Sequence, residues 1–183
     1  MKQPRVSIII IHYNRINHLK STINSLLSII KYPNLELIIA DDFSKKEIRE
    51  ELLSINCDIL IINQKNFGLG KNTNNALKVC TGEYILHLQD DWDFIGEKYF
   101  LENSISLFKN NETIDLIRYY NTNKYPKGRI INAQGYFEVA SLKQSNYDVM
   151  TLYSDTPHLK RNKFHIEYGL FKENVPMTDM EVN

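Results

Sequence analysis

The apolar positions of the first ninety residues follow two alternating periods. At 5–12, 35–40, 59–62 and 83–88 the apolar residues run on with little alternation, and Val6, Ile8, Ile9, Ile10 and Ile11 are the densest of these runs. Continuous β-branched runs of this length are the pattern of strands covered on both faces of a parallel sheet. Between them the spacing changes to three and four. Ile16, Leu19, Ile23, Leu26, Leu27 and Ile30 predict a first helix, with Asn14 as its cap and Tyr32-Pro33-Asn34 as its stop. A short helix is predicted over 45–55. A third is predicted over 71–80, entered through the glycine-bearing turn Asn66-Phe67-Gly68-Leu69-Gly70 and ended by Thr81-Gly82. Strand and helix in strict alternation predict an α/β fold: a mostly parallel, Rossmann-like central sheet with helices on both faces.

Beyond residue 90 the pattern weakens. A helix is predicted over 97–110, with Phe100, Leu101, Ile105 and Phe108 facing inward, and strands over 115–120 and 148–153. The stretch 121–144 has little periodicity and reads as irregular. His158–Tyr168 mixes basic and apolar residues and is predicted helical, ended by Gly169.

The 183 residues suit one domain with a sizeable core. Charge adds an exclusion: 22 basic residues balance 22 acidic ones without a basic block. Nucleic acid is therefore not an expected partner, because backbone binding needs a positive face. Cys57 and Cys80 lack metal-ligand spacing, and free thiols in a reducing compartment are the simpler account. The N-terminus lacks a cleavage site, and no segment reaches the roughly 20 apolar residues that span a bilayer. A cytoplasmic, soluble protein is expected, with peripheral membrane association left open.

Candidate chemistry gathers at three strand ends. His12-Tyr13-Asn14-Arg15 follows the first strand, Asp41-Asp42-Phe43-Ser44 the second, and Gln89-Asp90-Asp91-Trp92-Asp93 the fourth. In an open α/β sheet these ends share one edge, where ligands bind. Carboxylates crowded as Asp90, Asp91 and Asp93 are repel one another unless a cation shares their charge. Mg²⁺ and Mn²⁺ prefer such oxygen ligands and complete their shells with water and substrate phosphates. A solvated acidic turn would explain the last cluster alone. Three polar turns on one edge point instead to a nucleotide site.

These residues resemble glycosyltransferase family 2, inverting enzymes of GT-A fold that use nucleotide sugars. The resemblance rests on Val6-Ser7-Ile8-Ile9-Ile10 with Tyr13-Asn14-Arg15, on Asp41-Asp42-x-Ser44, and on Asn66-x-Gly68 with Asn74. Gly82-Glu83-Tyr84-Ile85 and Gln89-Asp90-Asp91 complete it. It implies a nucleotide-sugar half over about 1–95 and an acceptor half over 96–183, either minimal or truncated. His12, Tyr13 and Asn14 would line the nucleobase pocket, with Tyr13 stacking on the base. Asp42 would bind the base edge and Asp41 support that turn, while the helix after Gly68 would offer backbone N–H groups and Lys71. Asp90 would face the ribose and Asp91 would hold Mn²⁺ or Mg²⁺, with Asp93 the rival ligand. The family's usual Asp-x-Asp begins here with Gln89, a departure that bears on metal affinity.

Inverting displacement also needs a base for the acceptor hydroxyl. The resemblance places it at Asp179, with Glu181 as substitute; frayed tail acids are the alternative for both. Trp92 and His158 are the expected donor or acceptor contacts, with a structural or surface histidine the alternative for His158. His87 reads as packing, His165 as helix surface, and Arg161 and Lys163 as a solvated face. The implied activity is transfer of a sugar, UDP-linked by preference, to a glycan or lipid-linked hydroxyl in polysaccharide assembly. The alternative is a nucleotide-sugar binding module without catalysis.

Overall fold

Four strands, β1 (Val6–His12), β2 (Leu35–Asp41), β3 (Ile59–Ile62) and β4 (Tyr84–Gln89), pair in parallel in the order β3-β2-β1-β4. The computed structural model describes residues 3–94, 98–119, 137–140 and 156–175. The in-register pairs Ile8↔Leu37 and Ile8↔Leu86 put β1 at the centre, and every residue of β1 and β4 is buried. This is why their sequences carry no polar face. Helices α1 (Ile16–Ile29), α2 (Lys46–Leu52) and α3 (Leu69–Leu77) supply the crossovers.

The sheet continues with β5 (Leu116–Tyr119), β6 (Phe137–Ala140) and β7 (His158–Arg161), in the full order β3-β2-β1-β4-β7-β5-β6. β7 is antiparallel to both β4 and β5, and β6 is antiparallel to β5. Five strands therefore run one way and two run against them. On one face pack α1, α2 and α4 (Phe100–Asn110), through Leu19, Leu26, Leu52, Leu101 and Phe108. On the other, Ala76 and Leu77 of α3 and Phe164 of α5 (Phe164–Tyr168) cover Ile9, Ile38 and Ile85. Each such buried aliphatic or aromatic side chain contributes about 1.5–3 kcal/mol. Cys57 and Cys80 are free thiols, both half-buried.

The α/β class and the first four strands match the sequence expectation, while four local expectations need correcting. Asn14 does not cap α1: Arg15 occupies the cap, and Asn14 sits in left-handed backbone at φ 58°. His158–Arg161 is a strand rather than the start of a helix, because it fills the slot between β4 and β5 and pairs with both. β6 lies inside the stretch expected to be irregular; of the expected 115–120 strand, Leu116–Tyr119 is strand, Asp115 is not, and residue 120 lies outside the described residues. His165 is not a surface residue: its Nδ1 bonds the Gly169 carbonyl at 2.8 Å and its ring packs against Phe171. The expected strand at 148–153 lies outside the described residues.

Two buried ionisable groups mark where polar chemistry has been built into the core. At the N-terminal edge, Glu36 accepts from the Ser7 hydroxyl, from the Thr81 N–H at 2.6 Å and from the Thr81 hydroxyl, and pairs with Arg5 at 3.3 Å. Burial would raise its carboxyl pKa, but these partners outweigh burial and the net direction is down. Ser7 also accepts the Gly82 N–H at 2.8 Å, and a Cβ on Gly82 would lie 2.6 Å from the Ser7 nitrogen, so only glycine fits. On β7, Lys160 is fully buried, its Nζ 3.2 Å from His158 Nε2 and above the rings of Phe164 and Phe171. Desolvation pushes its amine down to about 7.

That shift fixes a testable pH dependence. An unfolded lysine titrates near ~10.4, so between about pH 7 and pH 10 the unfolded chain holds a proton that the folded chain has released. Stability therefore rises with pH across this window. Lys160→Met should remove that rise and leave stability at pH 7 equal or higher, since replacing a buried charge by an apolar isostere is neutral or stabilising. Urea denaturation of both proteins at pH 7 and pH 9.5 checks it.

Candidate functional site

The carboxyl ends of β1, β2 and β4 meet at one edge, and their turns are bonded to one another. Asp90, immediately after β4, is fully buried. One of its oxygens accepts from His12 Nδ1 at 2.6 Å and, at 3.4 Å, from the Tyr13 N–H. The other forms an ion pair with the Arg15 guanidinium but receives no well-directed hydrogen bond. Arg15 also donates to Asp91 Oδ2 at 2.7 Å, so one guanidinium spans two successive carboxylates. Burial acts to lower the Arg15 pKa, but the charges of Asp90 and Asp91 outweigh it and raise the value.

Behind this pair, the fully buried ring of His12 lies between Asp90 and Asp41, its Nε2 3.9 Å from Asp41 Oδ1 without a hydrogen bond. Asp41 in turn accepts the N–H and hydroxyl of Ser44, and Ser44 Oγ accepts the Asn14 N–H at 2.8 Å. Asn14 Oδ1 accepts the Lys45 N–H at 2.8 Å. Two bonds from the β2–α2 turn thus hold Asn14 in its left-handed conformation, one that Asn tolerates better than most residues. That conformation launches Arg15 over the acidic pair.

The acidic loop then lies along α1. Trp92 N–H donates to Thr22 Oγ1 at 3.2 Å, Ser21 donates to Asp93 at 2.7 Å, and Phe94 N–H donates to Ser25 Oγ at 3.0 Å. Asp91 and Asp93 therefore face different partners, Arg15 and Ser21. Tyr13 is 45% exposed at the rim, and Trp92 is half-buried.

Asp42 is occupied more fully than its sequence role implied. Its Oδ1 accepts from Phe67 N–H at 2.8 Å and Asn63 Nδ2 at 3.0 Å, and its Oδ2 accepts from Gly68 N–H at 2.8 Å. Gly68, at φ 82°, needs glycine for this turn. The N–H of Gly68 is thus spent on Asp42 rather than offered to a ligand. Lys71 is tied to Glu173 at 2.8 Å, and Asn74 bonds Glu173 and both backbone groups of Phe171.

His158 is not at the surface. Its Nδ1 bonds the Thr156 carbonyl at 2.9 Å, its ring meets His87 edge-on, and burial drives both imidazoles well below the ordinary range. His87 is packing, as expected. Arg161 is not on a solvated face: it stacks on Phe108 and donates to the Phe108 and Asn111 carbonyls at the end of α4. Lys163 is solvated, with Glu167 at 3.7 Å. Asp179 and Glu181 lie outside the described residues.

Arg15 was not singled out from the sequence as a site residue. The signal was present, since a charge-dense acidic turn needs a cation and the first turn supplies the nearest basic side chain. Among the described residues, no group of three or more His, Cys, Asp or Glu is placed to hold a metal. Asp90 and Asp91 nonetheless fit a hard ion. Both offer carboxylate oxygens, the cation that meets one oxygen of each is a half-exposed arginine side chain, and the Asp91 side chain is 37% exposed. An ion needing only one or two carboxylates takes the rest of its shell from water and phosphate.

The occupancy of Asp42 yields a prediction. An asparagine there keeps one acceptor oxygen where three donors converge and turns an NH₂ toward one of them. Asp42→Asn should destabilise the ligand-free protein by about 1–3 kcal/mol, as read by urea denaturation without nucleotide. Unchanged stability would mean that the Phe67-Gly68 turn does not depend on this carboxylate.

Comparison with known proteins gives the chain a family and a fold. The Glycosyl transferase family 2 model matches residues 7–170. The bifunctional glycosyltransferase pgtA of Dictyostelium discoideum is 35% identical over 126 residues, 62% of this chain and 16% of that protein. An uncharacterized glycosyltransferase of Rickettsia conorii is 29% identical over 180 residues, 94% of this chain and 29% of the relative. This chain thus spans well under half the length of these relatives. Among solved structures, S. aureus TarS 1–349 superposes with a TM-score of 0.67 over 96% of this chain and 53% of its own, at 21% identity. The mannosyltransferase PcManGT from Pyrobaculum calidifontis, solved with GDP-Man and Mn²⁺, gives 0.53 over 63% and 35%, at 20% identity. At such identities the structures speak for the fold alone, which is that of these glycosyltransferases. The family match, covering most of the chain, speaks for descent: this chain belongs to glycosyltransferase family 2.

Proposed function

We propose that the chain binds a nucleotide-diphospho-sugar at the β1-β2-β4 edge and transfers the sugar, with inversion, to a hydroxyl of a glycan or lipid-linked acceptor. The observation that carries this is the interlocked edge itself, with Asp90 and Asp91 held by Arg15 beside an exposed Tyr13. Tyr13 offers a flat ring for the base. Asp42 and His12 act from behind, one fixing the Phe67-Gly68 turn and the other orienting Asp90.

Asp91, with Asp90, is the pair that would hold Mn²⁺ or Mg²⁺, with Asp93 drawn toward α1 by Ser21. When bound, such an ion supplies Lewis-acid stabilisation of the leaving diphosphate. Asp179, or Glu181 in its place, takes the proton from the acceptor hydroxyl. Support for a nucleotide-sugar donor comes from TarS, solved with UDP-GlcNAc, and from PcManGT, solved with GDP-Man and Mn²⁺. UDP remains the first donor base to test. The acceptor reading places the chain in polysaccharide assembly at or near a membrane surface. Among the described residues no helix is long and apolar enough to cross a membrane.

A second reading, a donor-binding module that does not itself transfer, is favoured by Gln89, which stands where the family's usual Asp-x-Asp has its first acid. The two readings separate in one set of titrations followed by turnover. Calorimetry with UDP, GDP and dTDP, with and without Mn²⁺, should show metal-dependent binding of one nucleotide. Asp91→Ala should abolish that dependence, with folding stability changed by no more than about 0.5 kcal/mol because its ion pair is exposed. Binding without transfer or hydrolysis would favour the module. Binding of none of the three would sink the donor site.

A further inference from the structure

The acidic pair already has a cation. Arg15 spans Asp90 and Asp91 with its two terminal nitrogens, and it is held there by the Asn14 turn rather than lying across the site by chance. Its side chain is 42% exposed, so it has solvent-side room to move, whereas Asp90 is sealed in place by His12. The Asp90 oxygen that faces Arg15 is engaged by that guanidinium, so it becomes available to a metal only when Arg15 leaves. A guanidinium and a divalent ion cannot share these oxygens comfortably, because two cations at that separation repel. A guanidinium does, however, fit a diphosphate as well as it fits a carboxylate, through the same planar fork of donors.

We propose that Arg15 is an internal counter-cation. Without donor it neutralises Asp90 and Asp91; when metal and donor arrive together, it gives up the acid pair and takes a place on the donor's diphosphate. This rests on the donor-site reading above and deepens it, because it makes metal binding and nucleotide binding conditional on each other. Metal alone must displace Arg15 with nothing to receive it, whereas metal with a nucleoside diphosphate provides the receiver. Arg15 is on this account a positioning residue in the free protein and a ligand-binding residue in the loaded one.

The test is a binding cycle that needs no turnover. Mn²⁺ alone, UDP or GDP alone, and the two together are titrated calorimetrically into wild type, Arg15→Gln and Arg15→Lys. Removing the resident charge should tighten Mn²⁺ alone by up to about fivefold, the scale of one exposed ion pair. It should loosen the nucleotide in the presence of Mn²⁺ by about tenfold, the scale of a lost charge-assisted contact. Arg15→Lys, which keeps the charge but not the fork, should leave Mn²⁺ alone near wild type and still weaken the nucleotide.

If Arg15→Gln binds Mn²⁺ alone no tighter than wild type, the counter-cation role is wrong even where the donor site stands. If wild type binds none of the nucleotides, with or without Mn²⁺, the donor-site reading fails and takes this inference with it; if it binds one equally well without Mn²⁺, this inference alone fails. Should Arg15→Gln lose its thermal transition, the lysine variant decides. Nucleotide binding in the presence of Mn²⁺ as tight as wild type would then overturn the proposal.

Discussion

A carboxylate with no access to water has to be answered from within the protein, and Asp90 is such a group. Three elements supply the answer. β1 contributes His12 and leads into the Tyr13 N–H, the residue before α1 is Arg15, and the β2–α2 turn fixes the backbone that aims Arg15. The ring closes through Asp41, which holds Ser44 and faces the far nitrogen of His12. Because each member is both held and holding, the geometry of the edge is set by the parallel register of β1, β2 and β4 rather than by any single loop. His12 pairs with Asp41 and Ile11 with Gln89 across that register, so the strands deliver their polar residues to one level.

The opposite edge of the same strands is organised by the same kind of demand. Glu36 gathers Ser7, Thr81 and Arg5 and binds the starts of β1, β2 and β4, leaving the functional edge free of that task. The division is physically sensible. At one end Glu36 is held by directed bonds from Ser7 and Thr81, and at the other Asp90 and Asp91 share one guanidinium. Lys160 belongs with neither edge. Among the described residues it has His158 as its hydrogen-bond partner and two aromatic faces around it, and desolvation there moves its amine down.

What could be read from the sequence divides along the same lines. Continuous apolar runs identified β1, β2, β3 and β4 because strands covered on both faces leave no ambiguity about where they lie. The strand β7 was misread because its buried side is written with His158 and Lys160, residues that usually mark a surface. Only its place between β4 and β5 explains them. β6 sat in a stretch without periodicity and was found only by its pairing with β5. At the site, the acids Asp41, Asp42, Asp90 and Asp91 were legible as residue types at strand ends. Their division of labour was not, because it depends on which oxygen meets which donor. Asp42 turned out to be holding the Phe67-Gly68 turn and His158 to be core, whereas Arg15 moved from a motif letter to the centre of the site.

Gln89 can now be placed in this charge balance. In strand alternation it falls on the same side as Ile85 and His87, away from Leu88 and the side on which Asp90 meets His12. It is buried. An aspartate there would put a third carboxylate at the end of β4, beside a pair that has one guanidinium to share. It would also be buried, where an unanswered charge costs several kcal/mol. A neutral amide avoids that cost and leaves Asp90 and Asp91 with one negative charge more than Arg15 can cancel. That residual charge, on two carboxylates rather than three, suits an ion that expects water and phosphate to complete its shell. The departure from the usual acidic motif is therefore consistent with a site that carries its own cation. It need not have lost the capacity to bind metal.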